Sequence, residues 1–210
     1  MCRGGGMKTH RNSVIRLVQY KNILKKFESM GFLKIFSNNL ADATGASAAQ
    51  VRKDFSIFSI EGNKKGGYLV KELILKIEDI LGKDKAHKVI VVGAGHIGMA
   101  LLNYKGFEKE KIKIMAAFDV DPSKYGEVLG IPIFSIDRLP EFVRRHNIKL
   151  GISAVPDISA QQTIDIMVSA GIKGILNFAP TQVKGKNETI INNVDVVLEL
   201  EKVIYYVKTR

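Results

Sequence analysis

The chain has 210 residues, 46% of them hydrophobic, and a formal net charge of +11. A single cysteine, Cys2, excludes a disulfide framework or a cysteine-based zinc site within one chain, and the four histidines at 10, 87, 96 and 146 lack metal-ligand spacing. No apolar run reaches the roughly 18 residues of a membrane-spanning helix, and residues 1–12 lack the apolar stretch of a secretion signal, so the expectation is a cytoplasmic protein with no membrane or metal partner.

Residues 1–12 read as a flexible extension. Charge is concentrated in the first part of the chain: residues 1–88 hold 17 Lys/Arg against 8 Asp/Glu, a net of +9, whereas residues 89–210 hold 15 against 13, a net of +2. A basic domain joined to a nearly neutral one points to a polyanionic partner. Val14, Leu17, Tyr20, Leu24 and Phe27 step by 3, 3, 4 and 3, one face of an amphipathic helix, with Arg16, Lys21, Lys25 and Lys26 off the stripe.

Residues 40–55 follow the layout of a helix-turn-helix. Ala41 is small enough for two helices to cross closely, Gly45 suits the turn, and Val51 returns to the core. Ser47 and Gln50 form a capping box that starts the second helix. That helix is expected to expose Ser47, Ala48, Gln50, Arg52 and Lys53, short side chains first, as entry into a major groove requires. Gln50 and Arg52 suit base edges or phosphates, and Lys53 suits phosphate. Next, Gly62 to Tyr68 is a glycine-flanked loop with Lys64 and Lys65 at its tip, the pattern of a wing. Lys71 to Leu81 reads as a helix ended by Gly82. The winged helix-turn-helix domain is thus placed at 13–82 and a linker at 83–88.

Val89 to Gly98 is an apolar strand running into Gly93-x-Gly95-x-x-Gly98, and Asp119 follows 21 residues after Gly98 at the end of a second apolar run. Gly93 permits the sharp turn, Gly95 the approach of backbone to a pyrophosphate, and Gly98 close packing of the next helix on the strand. The helix start at His96 and Ile97 presents free N–H groups to phosphate. Asp119 accepts from an adenosine ribose and disfavours a 2′-phosphate, which selects NAD over NADP. Apolar strands at 131–134, 150–155 and 174–178 alternate with helical segments at 137–146 and 159–170, so residues 89–192 read as a Rossmann-like, doubly wound parallel sheet. Ligands bind at the carboxyl ends of such strands, which places Val155, Pro156, Asn177, Phe178, Ala179 and Pro180 beside the glycine loop. Residues 193–210 form a last helix whose apolar face, Val196, Val197, Leu200, Val203, Ile204 and Val207, needs a partner surface. Its own domain and a second subunit are both open.

With these residues in hand, the chain resembles the Rex family of NADH-sensing transcriptional repressors from about Ser13 onward. The likeness rests on Ala49-Gln-Val-Arg-Lys-Asp54, Gly62 to Tyr68, Tyr104-x-Gly106-Phe107, Phe118-Asp-Val-Asp121-Pro122, and Gly171 to Pro180. The resemblance implies a homodimer that binds a pseudo-palindromic operator in double-stranded DNA when NAD+ predominates and lets go on binding NADH, with NAD+ as competitor. It also implies a C-terminal helix exchanged between subunits, Tyr104 and Asp195 near the nicotinamide, the latter from the partner chain, and no catalytic activity. Asn22 stands where the family has an arginine that joins this Tyr–Asp pair, and Lys64-Lys65 replaces the wing's arginine–glycine. Two other functions fit parts of the pattern: an NAD-dependent dehydrogenase with a basic accessory domain, and a coenzyme A-binding module. The first lacks an acid/base over the nicotinamide, since His96 lies in the phosphate loop and His146 at a helix end. Asp119 opposes the second.

Overall fold

A computed structural model describes residues 6–62, 66–83, 85–185 and 188–209. Lys64 and Lys65, expected in a wing, lie outside the described residues. The chain divides into two compact units, Met1–Lys85 and Ala86–Arg210.

The first unit opens with α1 (Gly6–Ser29), so residues 6–12 of the expected flexible extension are helical. Leu17, Tyr20 and Leu24 are fully buried, as the stripe predicts, but Val14 is exposed and Lys21 is buried instead. Residues 17, 20, 21 and 24 follow the i, i+3, i+4, i+7 period more closely than the stripe read from apolar residues alone, and the four-carbon stem of lysine supplies apolar surface there. A two-residue strand, β1 (Lys34–Ile35), leads into α2 (Ser37–Thr44) and α3 (Ala48–Ile57). Gly45 makes the turn between the two helices in the left-handed region, at φ 71°, where a Cβ is unfavourable. Leu40, Ala41, Val51 and Phe55 from the pair close on α1 and on Val70, Leu73, Ile74 and Ile77 of α4 (Val70–Ile80). Just before α4, β2 (Tyr68–Leu69) pairs antiparallel with β1. Two-residue strands carry no readable periodicity, which is why β1 is invisible in the sequence.

The second unit is built on β3 (His87–Val92), β4 (Ile112–Asp119), β5 (Gly126–Val128), β6 (Ile131–Ser135), β7 (Leu150–Ser153), β8 (Gly174–Asn177) and β9 (Ile190–Asn193). Their order across the sheet is β5-β6-β4-β3-β7-β8-β9. All pairings are parallel except β5 with β6. β3 begins at His87, two residues before the expected Val89, and so takes up the end of the expected linker. α7 (Leu139–His146) and α8 (Asp157–Ala170) cover one face through Leu139, Val143, Ile164 and Met167. α5 (His96–Leu102) and α6 (Gly106–Lys109) lie on the other, over Val89, Val91 and Ala117. Helices on both faces of a parallel sheet make it doubly wound. The chain winds outward from β3 to β4 and β6, then returns to β7 and runs the other way. The carboxyl ends of β3 and β7 are therefore the topological switch point, where such sheets bind ligands.

α9 (Val196–Lys208) ends the described chain. Every residue of its apolar face, Val196, Val197, Leu200, Val203, Ile204 and Val207, is exposed, so nothing among the described residues covers that face. No helix among the described residues is long and apolar enough to cross a membrane.

Candidate functional site

The glycine loop sits at the switch point, and each glycine has a distinct reason to be there. Gly93 has φ 98°, and a Cβ on it would meet the Ala154 carbonyl oxygen at 2.5 Å. A Cβ on Gly98 would strike the Gly93 carbonyl, so α5 packs on the strand only because Gly98 has none. Gly95 is different: a Cβ there would meet nothing within 4 Å. Gly95 keeps open a space that the protein itself does not fill, beside the start of α5, where unpaired backbone N–H groups favour an anion.

Asp119 ends β4 and closes the loop from the other side. It is almost wholly buried. Its Oδ2 accepts from the Ala94 N–H at 2.6 Å and from Lys124 Nζ at 3.2 Å, and its Oδ1 accepts from the Asp121 N–H at 2.9 Å. Burial opposes the charge, but the two backbone donors and Lys124 outweigh it and hold the carboxyl below its usual range. Asp121 in turn accepts from the Ser123 N–H and hydroxyl, which lower its own pKa.

Together these residues border a cleft of about 510 Å³. Gly93, Gly95, Asp119, Asp121, Val155 and Pro156 line it as the sequence predicts, with Ile136, Asp137, Gln162, Thr163 and Ile166 on the far wall. Those far-wall residues, and Lys124, escape sequence reading because no motif marks them. They come from α8, from Lys124 beyond β4 and from the turn after β6, and only the sheet order brings them to the loop.

Several expected residues fall elsewhere. Ala94 packs into the core under α5, so only its N–H serves the site. His96 and Ile97 are exposed at the start of α5. Asn177 is fully buried, and its amide donates to the Ala179 and Thr181 carbonyls and to Asn193 Oδ1. Those bonds tie β8 to β9, leaving Asn177, and with it Ala179 in the core and Phe178 beside β8, outside the cleft lining. Tyr104 is also outside. α5 carries the chain about 10 Å from the glycine loop, and Tyr104 lies beyond its end, exposed and edge-on to Phe107 at 5.2 Å. Asp195 caps α9 by accepting from the Leu198 N–H at 3.0 Å.

On the first unit, Arg52 and Lys53 are exposed on α3, as expected of a DNA-facing helix. Ser47 caps that helix, accepting from the Gln50 N–H at 3.1 Å. The reciprocal half of the capping box is replaced: the Gln50 amide donates to Asp54 Oδ1 at 3.0 Å and is half-buried. Ala48 turns inward against the core and Ala49 takes the exposed place. Sequence reading missed the centre of this arrangement. Asp54, fully buried, accepts from Arg16 Nε at 2.6 Å, Arg16 Nη2 at 2.7 Å and the Tyr20 hydroxyl at 2.9 Å. Burial opposes its charge, and the bonds from Arg16, Tyr20, Gln50 and Ser13 more than offset that. Tyr20 is pushed up to about 12 by burial and by Asp54.

Comparison with known proteins places both halves. Residues 11–56 match a family model described as a putative DNA-binding protein N-terminus, and residues 84–181 match a CoA-binding domain model. The redox-sensing transcriptional repressor Rex of Desulfitobacterium hafniense is 38% identical over 205 residues, covering 97% of this chain and 98% of that protein. The chain belongs to the Rex family. The Rex repressor of Carboxydothermus hydrogenoformans is 37% identical over 97% of this chain and 98% of its own. The Rex-family repressor RSP, crystallised with NAD+ and operator DNA, superposes with a TM-score of 0.90 at 33% identity, covering 94% of this chain and 92% of its own. RSP with NADH gives 0.84 at 32%, covering 95% and 94%. These Rex relatives are transcriptional repressors, not enzymes.

Proposed function

We propose that this Rex-family chain acts as a homodimer that holds operator DNA through α3 of each subunit and lets go when NADH fills the cleft, with NAD+ competing for the cleft without causing release. The observation that carries the reading is the open space at Gly95, in a cleft walled by the charged Asp119. RSP, similar over nearly its whole length, has been crystallised with both nucleotides and with operator DNA. Gly93, Gly95 and the start of α5 would hold the pyrophosphate, and Asp119, which takes the Ala94 N–H, would with Asp121 hold the adenosine ribose. Three carboxylates and one lysine border this part of the cleft, Asp119, Asp121, Asp137 and Lys124, a balance that disfavours a 2′-phosphate.

NADH and NAD+ differ only at the nicotinamide, so redox reading needs groups near that ring. In this reading Asp195 arrives from the second subunit on an exchanged α9, and Tyr104 offers its exposed ring to that subunit. Two recognition helices engage two half-sites at fixed spacing, so a closure that rotates one of them weakens binding. About 1.4 kcal/mol of coupling suffices for a tenfold effect.

The test is operator binding titrated with NAD+, NADH, NADP+ and NADPH in turn. Release by NADH, no release by NAD+ alone, and a weaker effect of the phosphorylated pair is the expected result. Full operator binding at saturating NADH overturns the reading. The match to a CoA-binding domain supports a second ligand, and displacement of fluorescent NADH by coenzyme A tests it directly.

A further inference from the structure

The two ends of the second unit's sheet differ in charge. The carboxyl ends carry the acids of the cleft. At the amino ends, the pairing register aligns lysines on neighbouring strands. Lys88 of β3 pairs with Lys113 of β4. Val89 pairs with Leu150, and Leu150 with Gly174, so the residues one place earlier, Lys149 and Lys173, stand level with Lys88. The Lys173 N–H donates to the Lys149 carbonyl at 2.8 Å, which fixes that level. Four lysines thus lie in one row across four adjacent strands, in the order 113, 88, 149, 173, and all four are exposed. Lys88 and Lys113 lie within their strands and share a face, while Lys149 and Lys173 stand one residue before β7 and β8; strands lie about 4.8 Å apart, so the row spans about 14 Å. Arg144 and Arg145, exposed in the last turn of α7, adjoin it: Lys88 Nζ comes within 3.5 Å of the His146 carbonyl.

Level like charges repel and destabilise a sheet, so the row needs a compensating anion. The carboxyl-terminal ends of α5, α7 and α8 supply part of one, on the order of half a charge each, against six cations. Glu108, which lines one hollow with Lys113, and Glu110, both near the start of β4, offset two more. A positive excess remains.

We propose that this row binds the phosphate backbone of duplex DNA and adds a sequence-independent contact to that of the first unit. Successive phosphates of one DNA strand rise about 3.4 Å along the axis while turning round the helix, so a straight row of about 14 Å can face about three of them. The inference rests on the repressor reading for the presence of DNA.

The experiment measures binding of the full chain to a long random-sequence duplex across a salt series. The variant is Lys88→Gln, Lys113→Gln, Lys149→Gln and Lys173→Gln together, and the control is Lys184→Gln with Lys202→Gln, which lowers net charge away from the row. The row variant is expected to bind at least about tenfold more weakly at low salt and to lose about two units or more of salt slope, since each phosphate contact contributes about 0.9. Fluorescence exchange should show unchanged NADH affinity. An unchanged slope, or the same change per charge removed in the control, overturns the proposal. If wild type fails to bind DNA at all, the repressor reading itself has failed.

Discussion

Arg16 grips Asp54 with two prongs, Nε to Oδ2 at 2.6 Å and Nη2 to Oδ1 at 2.7 Å, and so fastens α1 to α3. The carboxylate is buried while the guanidinium keeps a partly exposed edge. The Asp54 charge is turned inward, so it orients α3 and leaves Arg52 and Lys53 exposed on the other side. Arg16→Met should leave a buried carboxylate without its cation. Loss of one partner of a buried pair typically costs about 3–5 kcal/mol, and the partial exposure of Arg16 favours the low end. Thermal melting should show that loss, and operator binding should weaken with Arg52 and Lys53 intact. Unchanged melting would mean that the pair is not the fastening.

The same pair sets a pH dependence. Asp54 has a folded pKa below its unfolded value, so its contribution is present above the unfolded carboxylate range and is lost as pH falls through the folded pKa. Tyr20 runs the opposite way: raised to about 12, it contributes below the unfolded tyrosine value and loses that contribution as pH rises toward 12. Melting of the wild type should therefore decline at both extremes. Asp54→Asn should lower the plateau and flatten the acid limb, and an acid limb of unchanged steepness would assign it to other carboxylates.

DNA contact is tested at Arg52→Ala and Lys53→Ala. Both side chains are exposed, so stability should hold within about 0.5 kcal/mol. Lys53→Ala should weaken all sequences alike and reduce the salt slope by about one unit if it meets a single phosphate. Unaltered affinity in the double variant would show that α3 does not face DNA.

Among the loop glycines, Gly95 is the clean probe of the cleft. Gly93 and Gly98 cannot take a Cβ without striking backbone, so their variants would report on folding. Gly95→Val should fold, keep DNA binding and lose NADH, because its branched side chain fills the space reserved for pyrophosphate. Ordinary NADH affinity in that variant would remove the loop from the site. Asp119→Ala should weaken NADH and narrow the preference over NADPH, with some loss of stability since Asp119 also pins Ala94.

How far the sequence could be read follows from the range over which each feature is encoded. Gly93-x-Gly95-x-x-Gly98 and Asp119 are set by local geometry around one strand turn, and the helix-turn-helix by Ala41, Gly45 and Val51, so both were legible. Ile136, Gln162 and Ile166 reach the cleft only through the sheet order, and no local pattern announces that. Asn177 misled for the complementary reason. A polar residue at a strand's carboxyl end suits a ligand, but here β9, four residues long and nearly patternless, takes its amide. The partner of Asp54 lies 38 residues away, beyond the reach of any periodic reading.

The proposed dimer and the proposed redox signal both depend on α9. Its apolar face is exposed along the whole helix, a surface that water disfavours at about 25 cal/mol per Å². Removal of residues 196–210 should yield a monomer on sedimentation and abolish tight operator binding, since two half-sites can no longer be engaged together. Asp195 begins the helix and has two separable roles. As the cap of α9 it accepts from the Leu198 N–H, and Asp195→Ala forfeits that cap, typically about 1 kcal/mol. As a charge it is proposed to sit beside the partner's nicotinamide. Asp195→Ser keeps a capping oxygen and drops the charge, so it isolates the second role. The expected result is a dimer of normal stability that binds operator but no longer distinguishes NADH from NAD+ in releasing it. Asn22 stands where the family resemblance implies an arginine paired with Asp195, and its amide brings no charge to that carboxylate. A release ratio identical to wild type in the serine variant would take Asp195 out of the sensor and leave it a helix cap alone.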